Sequence, residues 1–314
     1  MSAIAVVLNE PGSLNLLEVR LAEPGPDDLI VDIEWSGIST GTERLLWNGT
    51  MPTFPGMGYP LVPGYESVGR VRQAGAQCTT PVGSRVFVAG ASCFENVRGL
   101  FGGAASRVVV PESKTLMLDE QLAERGTLLA LTATAVHALH DRDEFAAPDL
   151  VIGHGVLGRL IARAAIALGG EPPVVWETNA ARRESGNEYP VIDPESDACS
   201  DYKRVVDVSG ADRIVDVVVP KLGRGAELVL AGFYTGDMAY RFAPAFMREL
   251  RTRISAEWQP RDLVLANRLI ANGALSLDGL ITHRAPASTA VDAYPTAFDR
   301  PDCLKMVLDW RDGQ

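Results

Sequence analysis

Short apolar runs, separated by proline, glycine and aspartate turns, fill the first 120 residues of the chain. Runs of this kind predict β-strands. The predicted strands are residues 4–8, 14–19, 29–35, 68–71, 85–88 and 106–110. We therefore expect a small, barrel-like β domain in this part of the chain.

The pattern changes at the helical stretch 121–140, after which strands and helices alternate. Strands are predicted around Val151 and at residues 174–176, 190–192, 205–208 and 228–231. Such alternation is typical of a doubly wound parallel sheet. A helix at 262–272, the segment 280–283 and a helix at 302–310 follow.

These elements predict an α/β protein with two domains. The β-rich domain would comprise residues 1–122 together with residues 276–314, which return to it, and the parallel sheet would occupy residues 123–275. A chain of 314 residues with 46% hydrophobic content is ample for two cores, and 22% charged residues is ordinary for a globular protein.

A glycine-rich turn joins the first predicted strand of the parallel sheet to a helix. Its sequence, G-H-G-V-L-G, places glycines at 153, 155 and 158. Gly153 permits a tight turn, Gly155 lets a pyrophosphate approach the backbone, and Gly158 lets the helix pack close to the strand. The backbone N–H groups of Val156 and Leu157 would then bind the phosphates at the helix N-terminus.

An acidic residue at the end of the next strand strengthens the case for a dinucleotide site. Glu177 follows the strand 174–176 and lies 19 residues beyond Gly158. A carboxylate at this place accepts hydrogen bonds from both ribose hydroxyls and repels a 2′-phosphate, so NAD is the expected cofactor. Arg182 and Arg183 follow closely enough to offer a phosphate partner instead. The alternative is a glycine-rich turn without a ligand.

Charge and cysteine spacing exclude several classes of protein. A net charge of −11 without a lysine or arginine cluster argues against nucleic-acid binding. The N-terminus lacks a basic start, and no apolar run approaches the roughly 18 residues of a membrane-spanning helix, so we expect no membrane segment and a cytoplasmic location. Cysteines 78, 93, 199 and 303 are too far apart to suggest disulfides or a cysteine-bound zinc.

Several short motifs are shared with a known superfamily. They are G-I-S at 37–39, P-G-Y-E-S-V-G-R-V at 63–71, V-G-S-R-V at 82–86, L-T-A-T-A-V-H-A-L at 131–139 and the glycine turn. Together with the order of the domains, they make the whole chain resemble the medium-chain dehydrogenase/reductase superfamily. The resemblance implies a GroES-like substrate domain, a Rossmann domain that binds a nicotinamide cofactor, oxidoreductase activity on a small molecule, and a homo-oligomer.

Two departures from the superfamily pattern concern zinc. Its zinc-dependent members read G-I-C and G-H-E where this chain has Ser39 and Tyr65. Their structural-zinc lobe has four closely spaced cysteines, which residues 91–103 do not contain. A catalytic zinc needs three good protein ligands, and a serine with a tyrosine does not supply two of them. We therefore expect a zinc-free member with no metal ligands.

Without zinc, another group must accept the proton that an alcohol releases on oxidation. By the resemblance, Ser39, Thr42, Glu43 and Tyr65 lie at or beside the zinc-site segments and would form a hydroxyl relay. We expect Tyr65 to polarise the substrate oxygen, and Thr42 or Glu43 to pass the proton on. In the alternative interpretation, Ser39 and Thr42 are ordinary turn residues and Tyr65 fills the space of the lost ligand.

The resemblance also assigns residues outside the glycine turn. It places Thr134 near the nicotinamide, Ser209 at the end of the fourth parallel strand and Gly232 at the end of the fifth. In the same way, Glu66 would pair with a basic residue of the C-terminal segment. In this chain that residue is Lys305, which would also reach the pyrophosphate.

Four further segments narrow the resemblance to one branch of the superfamily. They are W-S-G-I-S-T-G-T-E-R at 35–44, Y-P-L-V-P-G-Y-E at 59–66, S-A-E-W-Q-P at 255–260 and L-I-T-H at 280–283. The branch acts in bacteriochlorophyll biosynthesis, and the resemblance implies NAD-dependent oxidation of a 3-(1-hydroxyethyl) group on a magnesium chlorin to an acetyl group. The apolar loop 51–60 would cover such a flat ring, or would simply pack against the β domain.

Two other functions stay open at this point. One is a zinc-free quinone or alkene reductase that uses NADPH, against which Glu177 argues. The other is a dinucleotide-binding sensor that does not catalyse a reaction. Composition and spacing alone lead only as far as a nicotinamide-dependent oxidoreductase.

Overall fold

The computed structural model describes residues 1–53, 55–141, 144–183 and 188–311. The chain forms two compact units, one comprising Met1–Ala130 with Asp278–Gln314 and the other Leu131–Leu277. The predicted domains divide at 122/123 and 275/276, which are eight and two residues from these limits. Phe54, in the predicted apolar loop, lies outside the described residues.

Short strands outnumber helices in the described ranges. The strands are β1 (Ser2–Glu10), β2 (Ser13–Arg20), β3 (Asp28–Ile38), β4 (Leu61–Val62), β5 (Ser67–Ala74), β6 (Arg85–Val88), β7 (Arg98–Gly99), β8 (Arg107–Pro111), β9 (Thr115–Met117), β10 (His140–Asp141), β11 (Glu144–Phe145), β12 (Leu150–Ile152), β13 (Val174–Trp176), β14 (Val191–Ile192), β15 (Tyr202–Asp207), β16 (Leu222–Leu230), β17 (Arg251–Ile254), β18 (His283–Pro286) and β19 (Met306–Asp309). The α-helices are α1 (Thr42–Asn48), α2 (Leu129–Ala138), α3 (Val156–Ala167), α4 (Ile214–Val218), α5 (Phe242–Met247), α6 (Pro260–Ala271) and α7 (Ala290–Asp299).

The first unit is built mainly from β-sheet. Its larger sheet has the order β18-β19-β3-β5-β6-β9, with β8 also paired to β3, and its smaller sheet has the order β2-β1-β4-β7. The long strand β3 pairs with β19, β5 and β8, and its residues Leu29, Val31 and Ile33 are fully buried. The core therefore centres on β3, whose end at Ile38 leads directly into the predicted catalytic segment.

The predicted strands of this unit are confirmed, whereas the predicted helix at 302–310 is wrong. That segment contains β19, which pairs in parallel with β18 and antiparallel with β3. Met306, Val307 and Leu308 are all buried. Periodicity alone does not distinguish a strand from a helix in so short an apolar run. The pairing with β3 decides between the two.

The helical stretch predicted at 121–140 is interrupted. A 3-10 helix occupies Glu120–Leu128, and Ala123 within it has a non-helical backbone with φ 45°. The α-helix proper, α2, follows it and ends before β10. Among the helices that the structure describes, none combines the length and the apolar character that a membrane crossing requires.

The second unit contains a doubly wound parallel sheet, as the sequence predicts. Its strand order is β14-β13-β12-β15-β16-β17, and each neighbouring pair is parallel. The order reverses between β12 and β15, which end at Ile152 and Asp207. In such sheets ligands bind beyond the carboxyl ends of the strands at the point of reversal. The fold therefore places the glycine turn, which follows β12, at the expected ligand crevice.

Candidate active site

The glycine turn has the backbone geometry that a phosphate-binding turn needs. Gly153 has φ 101°, in the left-handed region where a side chain would be strained. A β-carbon on Gly158 would collide with the carbonyl oxygen of Gly153, so only glycine lets α3 pack this close to the turn. A β-carbon on Gly155 would have no atom within 4 Å, so open space lies beside the start of the helix.

That open space adjoins the N-terminus of α3. The helix begins at Val156, and its N-cap residue Gly155 provides no side-chain hydrogen bond. The N–H groups of Val156 and Leu157 belong to the first helical turn, which has no acceptors within the helix. Together with the helix dipole, such groups favour an anion. The turn therefore fits a pyrophosphate, and cofactor binding by these residues stays a prediction.

Substituting Gly155 with valine is expected to weaken NAD binding at least tenfold, or about 1.4 kcal/mol, while the protein stays folded. The branched side chain would fill the open space where the pyrophosphate must meet the backbone. Calorimetric titration gives the affinity. Gly158→Ala is the contrasting variant, because its collision with Gly153 should lower the melting temperature. Normal NAD binding by Gly155→Val would contradict the assignment of the turn.

Glu177 is held beside the glycine turn by two backbone hydrogen bonds. Its carboxylate accepts from the N–H of His154 at 3.1 Å and from the N–H of Asn179 at 2.7 Å. The bond from His154 joins the end of β13 to the turn, and the bond from Asn179 orients the carboxylate locally. Because a carboxylate has further lone pairs, Glu177 can still accept hydrogen bonds from ribose hydroxyls. This role stays a prediction.

The residues around Arg182 and Arg183 have defined contacts of their own. Arg183 donates to the carboxylate of Asp193 at 2.8 Å. The carbonyl oxygen of Arg182 accepts a hydrogen bond from Nδ1 of the buried His154 at 2.7 Å, and Nε2 of that histidine lies 3.1 Å from the hydroxyl of Tyr189. His154 is therefore an interior residue of the turn. Phosphate binding by Arg182 stays a prediction.

A buried carboxylate that sequence analysis did not single out joins the ends of two parallel strands. Asp207 accepts hydrogen bonds from Oγ of Ser209 at 2.7 Å and from the hydroxyl of Tyr234. Its carbonyl oxygen accepts from the N–H of Ala231 at 2.9 Å and of Gly232 at 3.1 Å. Burial raises the pKa of Asp207. Its position at the end of a buried strand was the sequence feature that could have identified Asp207. Asp207 thus links Ser209 and Gly232, whose contact with a cofactor stays a prediction.

In the first unit, three of the predicted catalytic residues bring their hydroxyl groups together. Ser39 follows the end of β3, Thr42 begins α1, and Tyr65 lies between β4 and β5. The oxygens of Ser39 and Tyr65 are 2.7 Å apart, and Oγ1 of Thr42 lies 3.5 Å from the same phenol oxygen. Ser39 is buried and Tyr65 is half-buried. These three residues form the hydroxyl cluster, and its part in a proton relay stays a prediction.

Glu43 is fully buried next to the hydroxyl cluster. Its Oε1 accepts a hydrogen bond from the N–H of Ser39 at 3.2 Å. Burial, and after it the negative charge of Glu66, raises the pKa of Glu43 to about 8. The buried Tyr294 of α7 is also affected, since burial and the charge of Glu43 raise its pKa. A carboxyl group with such a pKa changes its protonation state near neutral to mildly alkaline pH, and a part for Glu43 in proton transfer stays a prediction.

The raised pKa of Glu43 predicts that stability falls as pH rises. The folded protein holds this proton more tightly than the unfolded chain, whose value is 4.5, so the stabilisation is complete below that pH and is lost as pH rises through about 8. Between about pH 5 and pH 8 the free energy of unfolding should fall by about 3 kcal/mol from this group. Measured by urea unfolding, the free energy of unfolding of Glu43→Gln should depend less on pH than that of the wild type. The control Glu95→Gln, at an exposed position, should keep the pH dependence of the wild type. Equal slopes for the two variants would contradict the prediction.

The ion pair expected between Glu66 and Lys305 is confirmed. The carboxylate and the ammonium are in direct contact, and both side chains are buried. Nζ of Lys305 also donates to the carbonyl oxygen of Ile38 at 3.1 Å. A β-carbon on Gly37 would collide with Glu66, so the glycine in β3 makes room for the pair. The pair therefore fixes the end of β3 immediately before Ser39.

Two predicted cofactor residues lie on other elements. Thr134 is half-buried on α2. Lys305 belongs to the β-rich unit and precedes β19, and its ammonium is buried against Glu66 and Ile38. Contact of either residue with a cofactor stays a prediction.

The donor groups of this site do not fit a catalytic zinc. Zinc is bound by thiolate, imidazole or carboxylate groups, whereas Ser39, Thr42 and Tyr65 offer hydroxyls. Burial, and after it the charge of Glu66, raises the pKa of Tyr65, so the phenol stays protonated and is a poor ligand. The carboxylate of Glu66 is engaged by Lys305. Within the described ranges, no group of three or more His, Cys, Asp or Glu side chains is placed to hold a metal ion.

Comparison with known proteins identifies close relatives. Residues 25–120 match the family described as the alcohol dehydrogenase GroES-like domain. Two full-length relatives are each described as 2-desacetyl-2-hydroxyethyl bacteriochlorophyllide A dehydrogenase. The one from Rhodobacter capsulatus is 56% identical over 100% of both chains. The one from Cereibacter sphaeroides is 54% identical over 99% of both chains.

Solved structures share the fold at lower sequence identity. L-idonate 5-dehydrogenase from Escherichia coli has a TM-score of 0.85 at 19% identity, covering 98% of this chain and 98% of that chain. A likeness at this identity shows the fold alone, whereas relatives more than half identical along the whole chain show the family. This chain belongs to the medium-chain dehydrogenase/reductase superfamily, in the group that contains the 2-desacetyl-2-hydroxyethyl bacteriochlorophyllide A dehydrogenases.

Proposed function

We propose that the protein oxidises the 3-(1-hydroxyethyl) group of a magnesium chlorin, a chlorophyllide or bacteriochlorophyllide, to a 3-acetyl group. The observation that supports this proposal most strongly is the sequence identity to two dehydrogenases, 56% to one and 54% to the other. Their names specify a hydroxyethyl bacteriochlorophyllide. Oxidation of this secondary alcohol removes a hydride from carbon and a proton from oxygen, leaving a ketone. The nicotinamide, when bound, accepts the hydride. The protein must therefore provide for the proton.

The hydroxyl cluster supports proton transfer that does not depend on zinc. Because its pKa is raised, Tyr65 stays protonated. Its oxygen can take up the proton of the substrate hydroxyl while its own proton passes on to Ser39 or Thr42, and the phenol then donates a hydrogen bond to the negatively charged substrate oxygen. Ser39 and Thr42 lie at 2.7 and 3.5 Å from that hydroxyl. Glu43, bonded to the backbone of Ser39, can take up the proton when it is ionised. We assign the proton path to these four residues.

Incubation of the purified protein with NAD and a 3-(1-hydroxyethyl) chlorophyllide tests the proposal. We expect NADH and acetyl product in equal amounts, with a red shift of the chlorin absorption because the new carbonyl is conjugated with the ring. Activity should survive a metal chelator, and a loss that zinc alone restores would overturn the zinc-independent mechanism. NADPH oxidation by a quinone without chlorin turnover would indicate a reductase. NAD binding without any turnover would indicate a sensor.

We also propose NAD, rather than NADP, as the cofactor. The turn of Gly153, Gly155 and Gly158 would hold the pyrophosphate with the N–H groups at the start of α3. Glu177, fixed beside that turn, would accept hydrogen bonds from the ribose and repel a 2′-phosphate. A 2′-phosphate would bring a second negative charge next to the Glu177 carboxylate. Arg183 would not neutralise it, because its guanidinium is paired with Asp193.

Glu177→Gln is expected to lower the ratio of kcat/KM for NAD to that for NADP at least tenfold, about 1.4 kcal/mol of discrimination. The amide keeps the size of the side chain and one acceptor oxygen but carries no charge. Steady-state kinetics with both cofactors give the ratio. The exposed Glu195→Gln is the control and should leave it unchanged. Comparable kcat/KM for the two cofactors in the wild type, or an unaltered ratio in Glu177→Gln, would remove Glu177 from this role.

Exposed apolar side chains on the second unit support a homo-oligomer. Phe242 and Met247 of α5 are each 72% exposed, and Ile254 of the edge strand β17 is 76% exposed. Exposed apolar patches on a soluble domain are commonly covered by a partner. We propose that a second copy of the chain covers them, which light scattering of the purified protein can measure.

A further inference from the structure

An aromatic side chain that sequence analysis did not single out lies against the hydroxyl cluster. The ring of Phe101 packs on the ring of Tyr65 with centroids 5.2 Å apart and planes at 73°, an edge-to-face arrangement. Phe101 is half-buried. Part of its surface is therefore free to contact another molecule beside the hydroxyl that we assign to the substrate oxygen.

The backbone of Phe101 is strained. Its φ is 54°, in the left-handed region that residues with a β-carbon rarely adopt. The conformation is held by two hydrogen bonds, from the N–H of Ala91 to the carbonyl oxygen of Phe101 at 2.6 Å and from the N–H of Gly102 to the carbonyl oxygen of Val62 at 3.0 Å. A β-carbon on Gly90 would collide with that carbonyl of Phe101. The surrounding chain thus leaves this backbone position little freedom.

Strained residues persist where surrounding contacts fix them, and they cluster at ligand sites. Glycine would satisfy this backbone without strain, since it adopts positive φ freely. Because the residue is phenylalanine, favourable contacts of its ring must compensate for the free-energy cost of the positive φ. Its edge-to-face contact with Tyr65 accounts for one side of the ring. The core of the β-rich unit covers another part. The exposed remainder of the half-buried ring is apolar and belongs to a side chain in contact with Tyr65.

We propose that Phe101 determines substrate specificity by packing against the flat face of the chlorin while the hydroxyl of Tyr65 contacts the 3-hydroxyethyl oxygen. This inference rests on the proposed function and names the contact that would select a large planar ring. A macrocycle presents apolar surface on both faces, whereas a small alcohol presents almost none. The ring of Phe101 therefore contributes to binding of the chlorin and leaves the cofactor site unaffected.

Chlorin binding by Phe101→Leu tests the inference. Leucine keeps the β-carbon, and hence the strain, but removes the flat ring. Quenching of chlorin fluorescence gives the dissociation constant without requiring turnover. We expect it to rise at least tenfold in Phe101→Leu, with the NAD dissociation constant and the melting temperature unchanged, and to return to within twofold of the wild type in Phe101→Tyr.

The matched control is Phe94→Leu, a half-buried phenylalanine of the same segment whose ring neighbours Gly99 and Gly102. It should leave chlorin binding unchanged. A dissociation constant for Phe101→Leu within twofold of the wild type would overturn the inference, and so would equal losses of chlorin and NAD affinity with a lower melting temperature, which indicate packing alone. Binding that depends on Phe101 without any oxidation would support the inference and overturn the proposed function. Absence of chlorin binding in the wild type would overturn both.

Discussion

Replacing Lys305 with methionine will lower the free energy of unfolding by about 3–5 kcal/mol. Glu66 is fully buried, and its carboxylate contacts the ammonium of Lys305 directly. Burial already raises the pKa of Glu66, and Lys305 is what opposes that shift. Removal of the ammonium leaves a buried carboxyl group that must either stay charged without a partner or take up a proton, and both are costly at neutral pH.

Urea unfolding at pH 7 measures this loss. Lys114→Met is the control, since Lys114 is exposed in the same unit and its replacement should cost little. The double variant Glu66→Gln with Lys305→Met should recover part of the stability, because no charge is then left buried. The deficit of Lys305→Met should also shrink as pH falls, because Glu66 then takes up its proton at lower cost. A loss below about 1 kcal/mol at pH 7 would show that the buried pair is not needed for stability.

The same ion pair bears on the candidate site. Lys305 donates to the carbonyl oxygen of Ile38, the residue before Ser39, and Glu66 follows Tyr65 in the chain. The pair therefore anchors both segments that supply the hydroxyl cluster. In this chain the geometry of Ser39 and Tyr65 is set by their mutual hydrogen bond and by this anchor.

Local patterns in the sequence were enough for most of the fold. The glycine turn was recognisable because strand, turn and helix follow one another within a few residues. In the structure Gly153 has the positive φ that the turn requires, and Gly158 leaves no room for a β-carbon. The C-terminal β19 was not predicted, because three consecutive apolar residues fit either element until β3 pairs with them. The edge strand β17 was missed as well, since its residues are mostly exposed and carry no apolar pattern.

The candidate site depends on contacts that are distant in sequence. Asp207 and Tyr234 meet only because β15 and β16 are neighbours, and Phe101 reaches Tyr65 only through the packing of a loop. Glu43 was identified because the resemblance places it at or beside the zinc-site segment of the superfamily. Its raised pKa follows from burial near Glu66, which no local pattern expresses. Chemistry that depends on burial therefore required the structure.

Tyr65→Phe is expected to lower kcat for chlorin oxidation at least 100-fold, the lower range for loss of a group that acts in proton transfer. The substitution keeps the ring and its packing on Phe101 and removes only the hydroxyl, which lies 2.7 Å from Ser39 and 3.5 Å from Thr42. No other donor of the cluster occupies the same place. NAD affinity should stay within twofold of the wild type.

Steady-state kinetics across pH give the decisive comparison for Tyr65→Phe. If Glu43 is the proton acceptor, kcat of the wild type should rise as pH passes through about 8, because the carboxyl must be ionised to accept. Tyr65→Phe should show the same rise at a much lower rate, since Glu43 is retained, whereas Glu43→Gln should lose the rise. Tyr202→Phe removes a hydroxyl that donates to Asp197 in the other unit and should leave kcat unchanged. An unaltered kcat in Tyr65→Phe would exclude its hydroxyl as the polarising group and leave Ser39 and Thr42 to contact the substrate oxygen.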